Sequence, residues 1–187
     1  MVTPALKQAT YQDILDLPEH VVGEIVGGVL HASPRPAASH ARATTSIVGS
    51  LSGPFDFGGG NGPGGWILLV EPELHLGADV LVPDIAGWRR EKMPELPAAA
   101  AITIAPTWLC EVLSPSTARL DRAEKLPAYA AAGVDYVWLV DPLVQTLEVF
   151  ERQGATWNLA AIYKDDAKIR AVPFDAVEFD LGLLWRR

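Results

Sequence analysis

The chain has a single cysteine, Cys110, among 187 residues, which excludes an internal disulfide framework. Its place inside the apolar run Trp108 to Leu113 marks it as a small buried hydrophobe and points to a reducing compartment. Nowhere do ~20 apolar residues follow one another, as a membrane-crossing helix requires. The stretch Met1 to Thr10 has no basic start leading into a long apolar core. The expectation is a soluble, cytoplasmic protein with no membrane partner. Positive charge is scarce too: 15 Lys and Arg face 23 Asp and Glu, a formal net charge of -8. That balance argues against a general nucleic-acid coat protein, whose phosphate affinity comes from clustered cations. Only a local basic patch is left open, with Arg89, Arg90 and Lys92 as its candidates beside the blander reading of a solvated charge run. His20, His31 and His75 show no zinc-ligand spacing and receive no role.

What is present suits one domain over residues 1–187, long enough to bury about 70% of its unfolded surface without staples. Thr10 followed by Asp13 predicts a helix N-cap, with Tyr11, Ile14, Leu15 and Leu17 on its apolar side and Pro18 at its end. Gly27-Gly28 between Gly23–Val26 and Val29–Ala32 predicts a two-residue hairpin carrying Glu24. Ser39 is the expected cap of a second helix through about Leu51, with Ala43, Ile47 and Leu51 on one face. The glycine-rich stretch 53–65 lacks the Lys-Ser or Lys-Thr and the following helix of a phosphate-binding loop, so it reads as a surface loop. Short strands follow at Trp66–Val70, Glu73–Leu76 and Val80–Trp88, the last interrupted at Pro83-Asp84. Beyond a Pro-rich stretch come a strand Thr107–Leu113, a helix ending at Gly133, and a continuous apolar strand Tyr136–Val140. Strand, helix, strand in this order predicts a parallel crossover. A hairpin of Thr146–Phe150 and Thr156–Tyr163 precedes a tail ending on Leu183, Leu184 and Trp185.

One acid stands out. Glu111 lies in the apolar run Trp108, Leu109, Cys110, Val112, Leu113, where a carboxylate is costly to desolvate unless a cation or strong donors meet it. A strand would point it with Leu109 and Leu113, away from Trp108, Cys110 and Val112. A second acid, Asp84, closes the stretch Val80 to Pro83. Two acids at strand ends, with Lys125 just downstream, are the parts of a metal-dependent phosphodiesterase site; Tyr129 follows Lys125 one turn further on the same helical face. Hard ions such as Mg2+ take carboxylate oxygens, waters and substrate phosphate oxygens and orient hydroxide toward phosphorus.

These motifs, Pro83-Asp84-Ile85, Pro106 to Thr117 with Glu111 at its centre, then Asp121, Lys125, Tyr129, Gly133-Val134 and Tyr136 to Pro142, resemble the Uma2 (DUF820) family. Glu24 to Leu30 and His40 fit its N-terminal pattern, so the similarity spans roughly Tyr11 to Phe150. The resemblance implies membership of the PD-(D/E)XK superfamily. The fold class it implies is α/β with mixed α+β elements: a restriction-endonuclease-like core, its mixed central sheet flanked by helices, with an added N-terminal helix and hairpin and a C-terminal hairpin. It implies Asp84, Glu111 and the Val112 carbonyl as ligands of Mg2+, with Mn2+ as a substitute, and Glu24 as an auxiliary acid. Leu113 stands where the superfamily carries its lysine, which makes Lys125 the migrated catalytic cation. Gly27 stands where the family commonly has Asp, and Pro127 is unusual inside a helix.

Taken singly, each residue has a plainer reading: Asp84 a turn residue, Glu111 an edge-strand acid, Glu24 and Lys125 solvated, His40 a local hydrogen-bonding residue near a helix start. Their joint order favours a Mg2+-dependent endonuclease-like hydrolase acting on DNA. The alternative is a catalytically silent descendant of the fold, a binding or oligomerisation module, with Glu111 neutral or paired to Lys125. In that case some of the 49% apolar residues would form a homodimer surface on the C-terminal hairpin and Leu183, Leu184 and Trp185.

Overall fold

In the computed structural model, which describes residues 8–34, 37–59 and 62–186, helix α1 (Tyr11–Leu15) opens as predicted. The Asp13 carboxylate accepts the Thr10 backbone N–H at 2.7 Å. The stretch before Gln8, read as free of a leader, lies outside the described residues, as do positions 60–61 of the glycine-rich stretch. Among the described residues no helix is long and apolar enough to cross a membrane.

Strands β1 (Val21–Val26) and β2 (Val29–Pro34) pair antiparallel with Val26 opposite Val29, and Gly27 and Gly28 both take positive φ in the turn, at 58° and 80°. Helix α2 (Ala38–Leu51) buries Ala43, Ile47 and Leu51 as its spacing predicts. Its cap is Ala37 rather than Ser39, so the helix begins before the expected polar cap. A π-type turn, Ser52–Asp56, then leads into the glycine-rich loop, burying Phe55 and bringing Asp56 to the backbone N–H of Leu68 at 3.2 Å. The loop thus folds against a sheet edge.

Next come β3 (Trp66–Val70), β4 (Leu74–Leu76), β5 (Asp79–Leu81) and β6 (Ile85–Arg89), then β7 (Trp108–Val112). The crossover carries α3 (Ala118–Leu120), a π-type turn Asp121–Lys125 and α4 (Leu126–Ala132), followed by β8 (Tyr136–Asp141), β9 (Thr146–Gln153) and β10 (Thr156–Lys164). β7 and β8 pair in parallel, Glu111 beside Leu139, which bears out the crossover. Pro127 is accommodated by the π-type turn: the Leu126 N–H reaches back to the Asp121 carbonyl, and the wider turn gives the proline ring room where an α-turn would bring it against a carbonyl. Gly133 closes α4 at φ 84°, as a left-handed cap.

The strands form two main sheets, ordered β10-β9-β8-β7-β6-β3 and β2-β1-β5-β4. The fold is therefore mixed, with a mixed central sheet, as expected. Two details of the expectation change. The N-terminal hairpin is joined to the body by β5, which pairs with β1 at Ile25 and Val80, so β1 gains a partner on its second edge. The C-terminal hairpin β9–β10 extends the central sheet through β8, whose Val137 to Val140 are buried and need ladders on both edges. Leu184 of the last helix, α5 (Gly182–Trp185), is buried within the chain, and Trp185 Nε1 donates to the Asp165 carbonyl at 3.0 Å. The C-terminal tail thus packs in part on the chain's own core.

Alternation along β7 divides that core. Trp108, Cys110 and Val112 pack with Ala43, Ile47 and Phe174; Leu109 and Leu113 pack on the other face with Leu81, Tyr129 and Val137. Gly87 of β6 sits where the two neighbouring strands carry tryptophans. A Cβ there would lie 2.8 Å from Leu68 Cδ2, 3.2 Å from the Trp108 ring and 3.3 Å from the Trp66 ring. Gly87→Ala is expected to lower stability by about 1–3 kcal/mol through overpacking, read as a shift of the urea midpoint at unchanged slope.

Candidate active site

The site begins where the two sheets part. Strand β5 runs with the β1 hairpin and β6 with the central sheet, and Pro83-Asp84 lies at the switch between them. Backbone donors left over at that switch are met by side chains. Glu24, buried on β1, accepts the Val82 N–H at 2.8 Å, and Asp84 accepts the Val112 N–H at 2.6 Å. The β6–β7 register pairs Ile85 with Cys110, so the next step along brings Asp84 alongside Glu111. Both acids line one cavity of about 290 Å³, together with Glu24, Val112, Asp121 and Lys125.

Lys125 is 2% exposed and holds the carboxylates together. Its Nζ lies 2.7 Å from Glu111 Oε1, 2.8 Å from Glu24 Oε1 and 3.7 Å from Asp121 Oδ1. Tyr129, fully buried one helical turn on, donates its hydroxyl to Glu111 Oε1 at 2.5 Å. Burial pushes the Glu111 carboxyl well above the usual carboxylate range, an effect that Lys125 opposes and the neighbouring acids reinforce. Asp121 is raised by burial as well, against the pull of Lys125 and a hydrogen bond from Thr117. For Lys125, burial disfavours the ammonium, but Glu111, Tyr129, Glu24 and Asp121 outweigh it and hold the pKa well above that of a free lysine. The amine therefore keeps its proton.

His40 is not the local partner that its place near a helix start predicts. Its Nε2 reaches Asp84 Oδ1 at 3.0 Å, and its Nδ1 is buried with no hydrogen-bond partner among the described residues. Burial alone would lower the His40 pKa; the hydrogen bond and charge of Asp84 raise it above the ordinary value. Among the described residues no three His, Cys, Asp or Glu side chains stand grouped as ligands for one ion. The ammonium stands within reach of both Glu24 and Glu111, and His40 and the Val112 N–H engage both oxygens of Asp84.

Compared with known proteins, the chain matches no curated protein. It does match Uma2, described as "Putative restriction endonuclease", over residues 10–182. The chain belongs to the Uma2 family. A solved structure of similar fold, described as "a putative nuclease belonging to DUF820" from Anabaena variabilis ATCC 29413, has a TM-score of 0.76 at 22% identity, covering 95% of this chain and 97% of that one.

In this Uma2 chain the residues singled out in sequence, Glu24, Asp84, Glu111, Val112 and Lys125, meet at one cavity. Asp121 and His40 line it with them, and Tyr129 is hydrogen-bonded to Glu111, although no site role was assigned to these three. Asp121 and Tyr129 carried a signal, since each is four residues from Lys125 and shares its helical face. His40 carried none beyond the family pattern, its contact with Asp84 being purely tertiary. Arg89 stacks on the Trp66 ring at 4.4 Å and Arg90 lies 3.3 Å from Asp56. Arg89 ends β6 and Arg90 follows it, at the end of the strand opposite Asp84, and neither lines this cavity. His31 lies 3.4 Å from Glu124, and His75 Nε2 is 2.7 Å from Glu73, both outside the cluster.

Removing the ammonium while keeping its hydrocarbon bulk, by Lys125→Met, leaves three buried acids without their cation. The expected loss is about 3–5 kcal/mol, the cost of breaking a buried ion pair from one side, measured by urea unfolding at neutral pH.

Proposed function

We propose that this protein is a Mg2+-dependent endonuclease-like phosphodiester hydrolase acting on DNA, with Asp84 and Glu111 as carboxylate ligands of the ion and the Val112 carbonyl as a further ligand. The observation that carries the reading is the meeting of two strand-end carboxylates and one helix-borne lysine at a single cavity, in a chain of the Uma2 family. The donor set fits a hard divalent cation: every candidate ligand offers oxygen, with no thiolate in the cavity. A bound cation would also relieve the desolvation that raises Glu111. Such an ion supplies Lewis-acid polarisation of a phosphoryl oxygen and a lowered pKa for water. Lys125 would offset charge developing on the phosphate, and Glu24 would share the lysine and hold its position.

A second reading has its own support. Glu111 already has Lys125 as a counter-charge at 2.7 Å, which suits a silent scaffold that keeps the site's residues for folding. Leu143 and Val144 in the β8–β9 turn, with Leu159 and Ile162 on β10, are exposed large apolar residues at one edge of the central sheet, fit for a second copy of the chain.

Mn2+ binding separates the two. The hydrolase reading expects wild-type protein to bind Mn2+, with binding lost in Asp84→Ala and Glu111→Ala. It expects Lys125→Met, assayed under conditions where it is folded and at saturating Mn2+, to turn over DNA poorly. Normal cleavage by Glu111→Ala would refute the scheme. No Mn2+ in a soaked crystal of the wild-type protein, with Glu111 still against Lys125, would make the scaffold the leading reading.

A further inference from the structure

The donors around Glu111 are placed unevenly. The shortest approaches of Tyr129 Oη and Lys125 Nζ are both to Oε1, at 2.5 and 2.7 Å. The Tyr129 ring packs in the apolar cluster with Leu109, Leu113 and Val137, a place that phenylalanine would fill equally well. What the hydroxyl adds is one hydrogen bond, and Glu111 receives it. The terminal torsion of a glutamate is broad by itself. Two donors fixed on one oxygen, one from the π-type turn and one from α4, set that torsion, and no hydrogen bond to the second oxygen accompanies them among the described residues, on a side chain that lines the cavity.

We propose that Tyr129 is a positioning residue for the metal site: its hydroxyl, acting with Lys125, engages Glu111 Oε1 and thereby reserves Oε2 for the divalent ion. The inference rests on the metal reading above. Tyr129 touches neither ion nor substrate; it acts through Glu111, as outer partners of ligating carboxylates do when they orient a ligand and tune its basicity. It also accounts for a hydroxyl at a position where its desolvation gains nothing for packing.

The test is Mn2+ binding by titration calorimetry to the full chain, wild type against Tyr129→Phe, with thermal unfolding of both. Weakening of Mn2+ affinity by about 10-fold or more, at a temperature where both proteins are folded, is the expected result. A lowered unfolding midpoint with unchanged Mn2+ affinity would make the hydroxyl purely structural and overturn the proposal. Should Tyr129→Phe fail to fold, the wild-type crystal soaked in Mn2+ decides instead. An ion on Oε2 with Tyr129 still on Oε1 supports the proposal, and an ion on Oε1 with Tyr129 displaced overturns it. A wild type that binds no Mn2+ removes the metal reading and this inference with it, whereas normal affinity in the variant removes the positioning role alone.

Discussion

The ammonium of Lys125 is the interaction on which the rest of the site depends. It joins Glu24 of the second sheet, Glu111 of the central sheet and Asp121 of its own helical turn, so one buried cation links the two sheets and the crossover segment. A buried charge of this kind is weak evidence for stability, because desolvation offsets much of the attraction. Its effect is on geometry. Each carboxylate has a fixed oxygen on the ammonium, and the π-type turn that carries Asp121 and Lys125 sets where that ammonium stands.

The carboxylates themselves are a consequence of topology. A chain that leaves one sheet for another must break its ladder, and the broken ladder exposes backbone donors that need acceptors. Pro83 supplies no N–H of its own at that point. Glu24 receives the Val82 N–H and Asp84 receives the Val112 N–H. Acids are thus placed at the sheet junction by the hydrogen-bonding demand of the junction, and the same placement turns them toward one cavity. A structural role for these residues does not exclude a chemical one.

Much of this was legible in the chain. The Gly27-Gly28 hairpin, the buried face of α2, the parallel crossover and the two faces of β7 follow from turn chemistry and apolar spacing, which are local signals. Glu111 was legible because an acid in the run Trp108 to Leu113 has to find a cation. The division into two sheets was not, since β4 and β5 are only three residues each and their partners lie more than 50 residues away in sequence for β5 on β1. The contact of His40 with Asp84 was likewise hidden, because nothing local to Ala38–Leu51 requires it. The start of α2 went astray for the opposite reason: Ser39 has the chemistry of a cap, but the helix extends one residue beyond it to Ala38.

Charge couples the remaining questions. The cavity is lined by Glu24, Glu71, Asp84, Glu111 and Asp121 against Lys125 and His40, in a protein of net charge -8. Lys125 is already surrounded by three of those acids, and His40 is engaged by a fourth. A phosphodiester approaching this opening would meet an excess of negative charge, and a low-dielectric cavity strengthens that repulsion. Arg89 and Arg90, engaged with Trp66 and Asp56 beyond the far end of β6, do not offset it at the cavity. A divalent cation held by Asp84 and Glu111 would reverse the local sign at the point where, on the proposed function, a phosphate would sit. The nuclease reading and the metal reading are therefore one claim: without the ion, the same acids that would hold it keep the substrate out.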